Sequence, residues 1–372
     1  MSNYNLISNP ASLKSLISQL QTQPALAVDT ESNSLYSYFE RVCLVQISTP
    51  TEDYILDPLA VDITPLNEIF SNLDIQKIFH AAEYDIMSLR RDYGFEINNL
   101  FDTMVTARIL GWSKYGLGDI LKNHLDIKLN KQFQQYNWGQ RPLSQAALEY
   151  AQLDTHYLFQ LRDIQKAELL QQGRKQEAEE AFERMTHVSA SPKIFNPADF
   201  WFIKGAKDLQ PDQQSRLQAL FVFRDMTARG TNKPPFKIMN DSTLLKLAAK
   251  PPMSMKALGS VKGLSPALVR RYGSKLLSLL RQSHGAPLPY PRNNYRRPDE
   301  ETMQRYEHLR SWRNTTAKAR GVEPDVILPN DILRMIAKFN PTNCSDLEEQ
   351  NILGEWQLKT YGNLIIEQLQ QI

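Results

Sequence analysis

The sequence is poor in cysteine: its 372 residues carry two, Cys43 and Cys344. They lie far apart and without metal-ligand spacing, which excludes a disulfide framework and fits a reducing, cytoplasmic setting. No stretch approaches the ~20 consecutive apolar residues that span a bilayer. The opening MSNYNLISNPASLKSLISQL lacks the basic start and long apolar core of a signal peptide. No membrane partner is therefore expected, and no dedicated protein partner can be inferred. Net charge is low as well, +2, with 42% hydrophobic and 23% charged residues, as in ordinary globular proteins. A chain of this length should hold two or three domains.

The low net charge conceals an uneven distribution. Residues 1–200 hold 17 Lys+Arg against 25 Asp+Glu, whereas residues 201–372 hold 26 against 16. An acidic half joined to a basic half suggests separate tasks, one of them contact with a polyanion.

The first half alternates strand-like and helical patterns. Asn9-Pro10 opens a helix, with proline suited to the first helical position. Strand-like runs occupy residues 25–28, 42–47, 53–56, 75–79 and 96–97. Short links between the first three favour antiparallel pairing, and the helical segment at 65–70 favours a parallel crossover to the fourth. Helices are expected at 102–110, 117–124 and 144–180, with a long charged helix over 162–184 leading onward. From about residue 209 the pattern is all-helical, and it repeats. A shift of 89 residues pairs Leu220 with Leu309, Arg224 with Arg313, Pro235 with Pro324 and Tyr272 with Tyr361, without a gap. These are two copies of one helical module. The boundaries expected are an α/β domain over 1–165, a helical connector over 166–208, modules over 209–283 and 303–372, and a proline-rich linker over 284–302.

The chemistry concentrates in the first domain. The apolar run 26–28 ends in Asp29-Thr30-Glu31, and strand alternation points both carboxylates to one face. A bare D-x-E pair is also what a strand running into a polar loop leaves behind. Three further acids bear on the choice. Asp85 follows a strand at the start of a helix. Asp154 lies four residues after Tyr150 in a helical pattern, so the carboxylate and phenol share a face. Asp102 reads as a helix N-cap. Four carboxylates gathered from separate elements are costly unless they hold hard cations, for which oxygen donors suit magnesium or manganese rather than zinc. Two such ions about 3.5–4 Å apart clamp the attacking and leaving oxygens of a phosphodiester, and a neighbouring tyrosine orients or deprotonates the water.

VDTESNSLYSYFERVCLVQI, KIFHAAEYDIMSL and WGQRPLSQAALEYAQLDTHYL, in that order, resemble the three exonuclease motifs of the ribonuclease D family. That family forms part of the tyrosine branch of the Asp-Glu-Asp-Asp 3′–5′ exonucleases. The repeated helical segment resembles two copies of the HRDC module. The resemblance implies an RNase H-like α/β exonuclease domain, a mixed sheet flanked by helices, followed by two all-α modules. It implies that Asp29, Glu31, Asp85 and Asp154 bind two Mg²⁺ or Mn²⁺ ions and that Tyr150 is catalytic. The expected activity is metal-dependent 3′–5′ trimming of structured RNA with a single-stranded 3′ end, such as a tRNA precursor, releasing 5′-mononucleotides. The same chemistry on DNA, as in repair exonucleases, stays open, as does an inactive nucleic-acid-binding adaptor. A sister branch places His-x4-Asp in the last motif, but here Glu149 stands where that histidine would be.

Substrate contacts form a wider set. His80 either reaches a phosphate or ends its strand as a structural histidine. Asn33, Leu35 and Tyr36 line a groove for the last bases or make a solvated turn. Gln46 faces the nucleotide or ends a polar face. Lys131 and Arg141 flank KQFQQYNWGQRPL and suit phosphate contact. Trp138 reads as a packing anchor, and Trp201 and Phe202 as core. The repeats differ electrostatically: residues 201–290 hold 15 Lys+Arg and 4 Asp+Glu, residues 291–372 hold 11 and 12. Lys262, Arg270 and Arg271 of the first copy are therefore the candidate phosphate contacts, while the second copy packs or spaces.

Overall fold

A seven-residue run as apolar as VCLVQIS fits a strand covered on both faces, and in the computed structural model Val42–Ser48 (β3) is buried along its whole length. The structure describes residues 4–130, 132–189, 194–282, 287 and 299–372. β3 lies within a six-stranded sheet built with Tyr4–Ile7 (β1), Ala25–Ser32 (β2), Asp53–Leu56 (β4), Gln76–Phe79 (β5) and Leu100–Asp102 (β6). The order is β1-β4-β3-β2-β5-β6. β2, β3 and β4 pair antiparallel, and β5 returns parallel to β2, as the link lengths require.

Two strand expectations change. β1 has a mixed pattern, half exposed at the sheet edge beside β4, and carries no clear alternation. The strand expected at 96–97 forms instead at β6. Phe95 and Ile97 are buried in the approach to it, and Asn99 then turns the chain with φ 52.

The helices follow their caps. In Pro10–Leu20 (α1), Asn9 accepts from Ser12 N at 2.9 Å, and Leu13, Leu16, Ile17 and Leu20 form the buried stripe. Residues 65–70 form a 3₁₀ turn and the single-turn Asn67–Phe70 (α2). Glu83–Tyr93 (α3), Thr103–Leu110 (α4) and Leu117–Leu125 (α5) follow. The expected helix over 144–180 is three: Gln145–His156 (α6), Leu158–Gln171 (α7) and Lys175–Thr186 (α8). The charged helix expected over 162–184 is thus interrupted, because Gly173 takes φ +65, the left-handed conformation that ends a helix.

The 89-residue shift reappears in space. Pro211–Thr231 (α9), Pro235–Ile238 (α10), Asp241–Ala249 (α11), Met255–Gly259 (α12) and Pro266–Gln282 (α13) start at positions matching Glu300–Arg320 (α14), Pro324–Ile327 (α15), Asn330–Phe339 (α16), Cys344–Glu349 (α17) and Glu355–Leu369 (α18). The interior chemistry repeats too. Arg224 donates to Met239 O and Asp241 Oδ1, and Arg313 to Leu328 O and Asn330 Oδ1. Most of the linker, including 288–298, lies outside the described residues.

The chain divides into two compact units, Met1–Ser32 with Val42–Ala190 and Arg297–Ile372, and Asn33–Arg41 with Ser191–Arg296. In the second, Phe200 and Trp201 join the core of α9–α13, whereas Phe202 is 65% exposed, a correction to its reading as core. The segment Asn33–Arg41 is fastened there by Asn232, whose Oδ1 accepts from Ser37 Oγ, Tyr38 N and Phe39 N at 2.8, 3.1 and 3.1 Å.

In the first unit the second helical module packs on the α/β domain. Arg320 makes a two-pronged bond to the buried Glu177, at 3.0 and 2.6 Å. Arg108 grips both oxygens of Asp325 at 2.7 and 2.6 Å. Glu180 accepts from Trp356 N and Gln357 N at 2.6 and 3.2 Å, capping α18 from another domain. That approach requires Gly354, where a Cβ would sit 2.1 Å from the Glu180 carboxyl. Removing one partner of a buried pair leaves the other uncompensated. Glu177→Ala should therefore cost about 3 kcal/mol and strip hydrogen-exchange protection from α14–α18 before the sheet. Unchanged protection would show that the pair does not hold the module.

Candidate active site

β2 delivers two acids to one face and then ends. In register with β3, Asp29 lies opposite Gln46 and Glu31 opposite Leu44, and a bulge between Glu31 and Ser32 breaks the ladder. α6 crosses this face, started by Ser144, whose side chain accepts from Ala147 N. Its apolar side, Ala147, Leu148 and Ala151, packs with Cys43, Leu44 and Ile55, which turns Tyr150 and Asp154 toward the acids of β2. One ligand oxygen each from Asp29, Glu31 and Asp154 lie within 4.8 Å of one another. Asp85, in the first turn of α3, stands outside that triad and accepts a 2.5 Å hydrogen bond from Thr30 Oγ1. Asp102 has a second function beyond capping α4. Its Oδ1 accepts from Met104 N and Val105 N, and its Oδ2 from Ala82 N, pinning the turn that precedes Asp85.

Among the described residues none of the four acids makes an ion pair. Burial pushes the Asp29 carboxyl well up, and the charge of Asp154 pushes it further. Glu31 is raised by burial and by Asp29, Asp154 and Asp85. Asp85 is raised by burial and Asp29, and Asp154 by burial and Asp85. Carboxyls that raise one another in this way are relieved by a proton or by a bound cation. Its all-oxygen donors fit a hard divalent cation. Tyr150 is half-buried, its ring 5.7 Å from Phe133 and 6.3 Å from Trp138, which is itself buried as a packing anchor. Burial, then Asp154, Glu31 and Asp29, push its phenol up, so it stays protonated.

Other candidates fall differently. Arg141 does not offer its guanidinium to a phosphate: it pairs with both oxygens of Asp57, at 2.6 and 2.7 Å, and donates to three backbone carbonyls, which consumes its donors. His80 Nδ1 contacts Thr103 Oγ1 at 2.9 Å, and burial lowers its pKa to about 4, so its ring is neutral. Lys131 lies outside the described residues. Asn33, Leu35 and Tyr36 belong to the second unit. There Asn33 Oδ1 accepts from Arg41 N, Leu35 is exposed, and Lys237 lies 3.6 Å over the Tyr36 ring. Lys262, Arg270 and Arg271 are exposed on the first module.

Sequence reasoning missed Thr30, which holds Asp85, and the Tyr84 hydroxyl 3.3 Å from Ser32 Oγ beside the acids. It also misplaced Gln46. Rather than ending a polar face, Gln46 is fully buried, and neither its Nε2 nor its Oε1 has a hydrogen-bond partner among the described residues. A lone amide in an otherwise apolar strand was the available signal.

Residues 4–169 match the family model described as 3'-5' exonuclease, and residues 213–280 and 302–369 each match that of the HRDC domain. Fold and site thus fall in the 3′–5′ exonuclease class. Ribonuclease D of Sphingobium indicum is 31% identical over 338 residues, 90% of this chain and 81% of that protein. The crystal structure of Escherichia coli RNase D superposes with a TM-score of 0.67 at 22% identity, covering 100% of this chain and 99% of that one. The chain belongs to the ribonuclease D family. The exosome complex component 10 homolog of Caenorhabditis elegans is 32% identical over 289 residues, and this chain spans 33% of that longer protein.

Proposed function

We propose that this protein is a metal-dependent 3′–5′ exoribonuclease that trims structured RNA, tRNA precursors among them, and releases 5′-mononucleotides. The observation that carries the reading is the convergence of Asp29, Glu31 and Asp154 within 4.8 Å, with no compensating cation among the described side chains. With Asp85 they would hold two divalent ions, Mg²⁺ or Mn²⁺. Such ions supply an acidified water and neutralise charge at the leaving 3′ oxygen. The chain's own groups do the rest. Thr30 orients the Asp85 carboxylate. Tyr150, its ring set by Phe133 and Trp138, donates to and orients the attacking water. The family membership supports RNA over DNA as substrate. The test is one labelled sequence supplied as RNA and as DNA, with Mg²⁺ or Mn²⁺. A ladder of 3′-shortened RNA is expected; a ladder on DNA alone overturns the substrate, and none on either overturns the activity.

The exposed cations of the first module supply phosphate contacts in this reading. Reversing Lys262, Arg270 and Arg271 together should weaken binding across RNA sequences and reduce the log–log salt slope by about 2, at ~0.7 per single-strand contact. Lys359 occupies the second module's position equivalent to Arg270. Its reversal should leave the slope unchanged. Affinity for one RNA at several salt concentrations decides; a wild-type slope in the triple variant makes the basic face merely solvated.

A further inference from the structure

On the face shared by β3, β4 and α6, several polar side chains find partners. Ser48 Oγ meets Thr155 Oγ1 at 2.7 Å. Asp53 accepts from Gln152 Nε2 at 2.6 Å and meets His156 Nδ1 at 2.7 Å. Gln46 differs: it is fully buried, and both ends of its carboxamide are unmatched among the described residues. A buried amide without a protein hydrogen-bond partner is costly, so native proteins seldom keep one without a reason. Its place in the sheet supplies the reason. Gln46 lies directly across from Asp29, and side chains opposite each other in an antiparallel pair project to the same face.

We infer that Gln46 is a positioning residue for the metal centre, its amide N–H₂ donating to the Asp29 carboxylate once a divalent cation has drawn that carboxylate into its ligating orientation. The inference rests on the metal reading above. An amide suits this position because it donates without altering the charge of the cluster. A lysine there would compete with the cation, and a glutamate would add a further repelling carboxylate. Hydrogen bonds of this kind fix ligand orientation, and losing one typically weakens metal binding 10–100-fold. The metal-free protein is then left with the unmatched amide. Stability is given up in one state to order the ligands in the other.

The two states give opposite signatures in one substitution. Gln46→Met preserves volume and removes the amide. In EDTA the full-length variant should melt about 2–4 °C above wild type, the scale of one relieved buried polar group. Its Mn²⁺ dissociation constant, measured by calorimetry, should rise about 10–100-fold, with turnover recovering at high Mn²⁺. Gln46→Leu repeats the measurement with a different apolar shape. Wild-type Mn²⁺ affinity in both variants overturns the inference while leaving the metal centre standing. Lower metal-free melting temperatures in both also overturn it, since the amide would then be satisfied without metal. Absence of Mn²⁺ binding by wild type itself overturns the metal reading and this inference together.

Discussion

Asp154→Asn and Asp29→Asn are each expected to reduce nucleotide release by about 10⁴ or more while leaving the protein folded, and in EDTA the variants should be more stable than wild type. The loss of activity follows from the site's geometry: each acid contributes one of three oxygens gathered within 4.8 Å, and removing one disturbs both placement and charge. The gain in stability follows from the raised carboxyls. Asp154 is pushed to about 7 by burial and by Asp85, against about 4 in an unfolded chain. Between those values the folded state holds more protons than the unfolded state, so wild-type stability falls as pH rises through that window. An amide has nothing to lose there. The variants should therefore outmelt wild type at pH 7.5, and the difference should vanish as pH approaches 4. Divalent metal should raise the wild-type melting temperature and leave the variants nearly unmoved. Near-normal turnover in either variant, or full wild-type activity in excess EDTA, would sink the assignment.

Tyr150→Phe should slow cleavage by about 10²–10⁴, the usual contribution of a positioned proton-handling group, with RNA affinity and Mn²⁺ affinity unchanged. Phenylalanine keeps the ring contacts to Phe133 and Trp138, so only the hydroxyl is lost. Single-turnover rates at saturating RNA separate this from a stacking role. A variant that bound RNA weakly but cleaved at the wild-type single-turnover rate would make Tyr150 a platform for the terminal base.

The residues best read from sequence are those whose partners are near in the chain or follow its periodicity. Asp29 and Glu31 share a face because strands alternate, and Tyr150 and Asp154 because helices turn every 3.6 residues. The duplicated module was legible down to Arg224 and Arg313, since an unbroken offset implies one fold twice. Residues misread were those whose fate depends on a distant partner. Arg141 sits in a loop of plausible phosphate ligands, but Asp57, 84 positions away, claims it. Gln46 reads as facing the nucleotide or ending a polar face, until neighbouring strands and α6 enclose it. Gly173 and Asn99 redirected helices and strands through left-handed backbone that residue periodicity does not encode.

The second helical module is bound to the α/β domain by the kind of contact that joins separate polypeptides. Arg320 enters beside Glu177, Arg108 clasps Asp325, and Val326 packs against the hydrophobic core of the α/β domain. None of these contacts depends on the peptide bonds of the linker. Residues 1–282 and 299–372, expressed as two polypeptides, should therefore reassemble into a non-covalent heterodimer. The covalent tether would then act only by raising the local concentration of one half around the other.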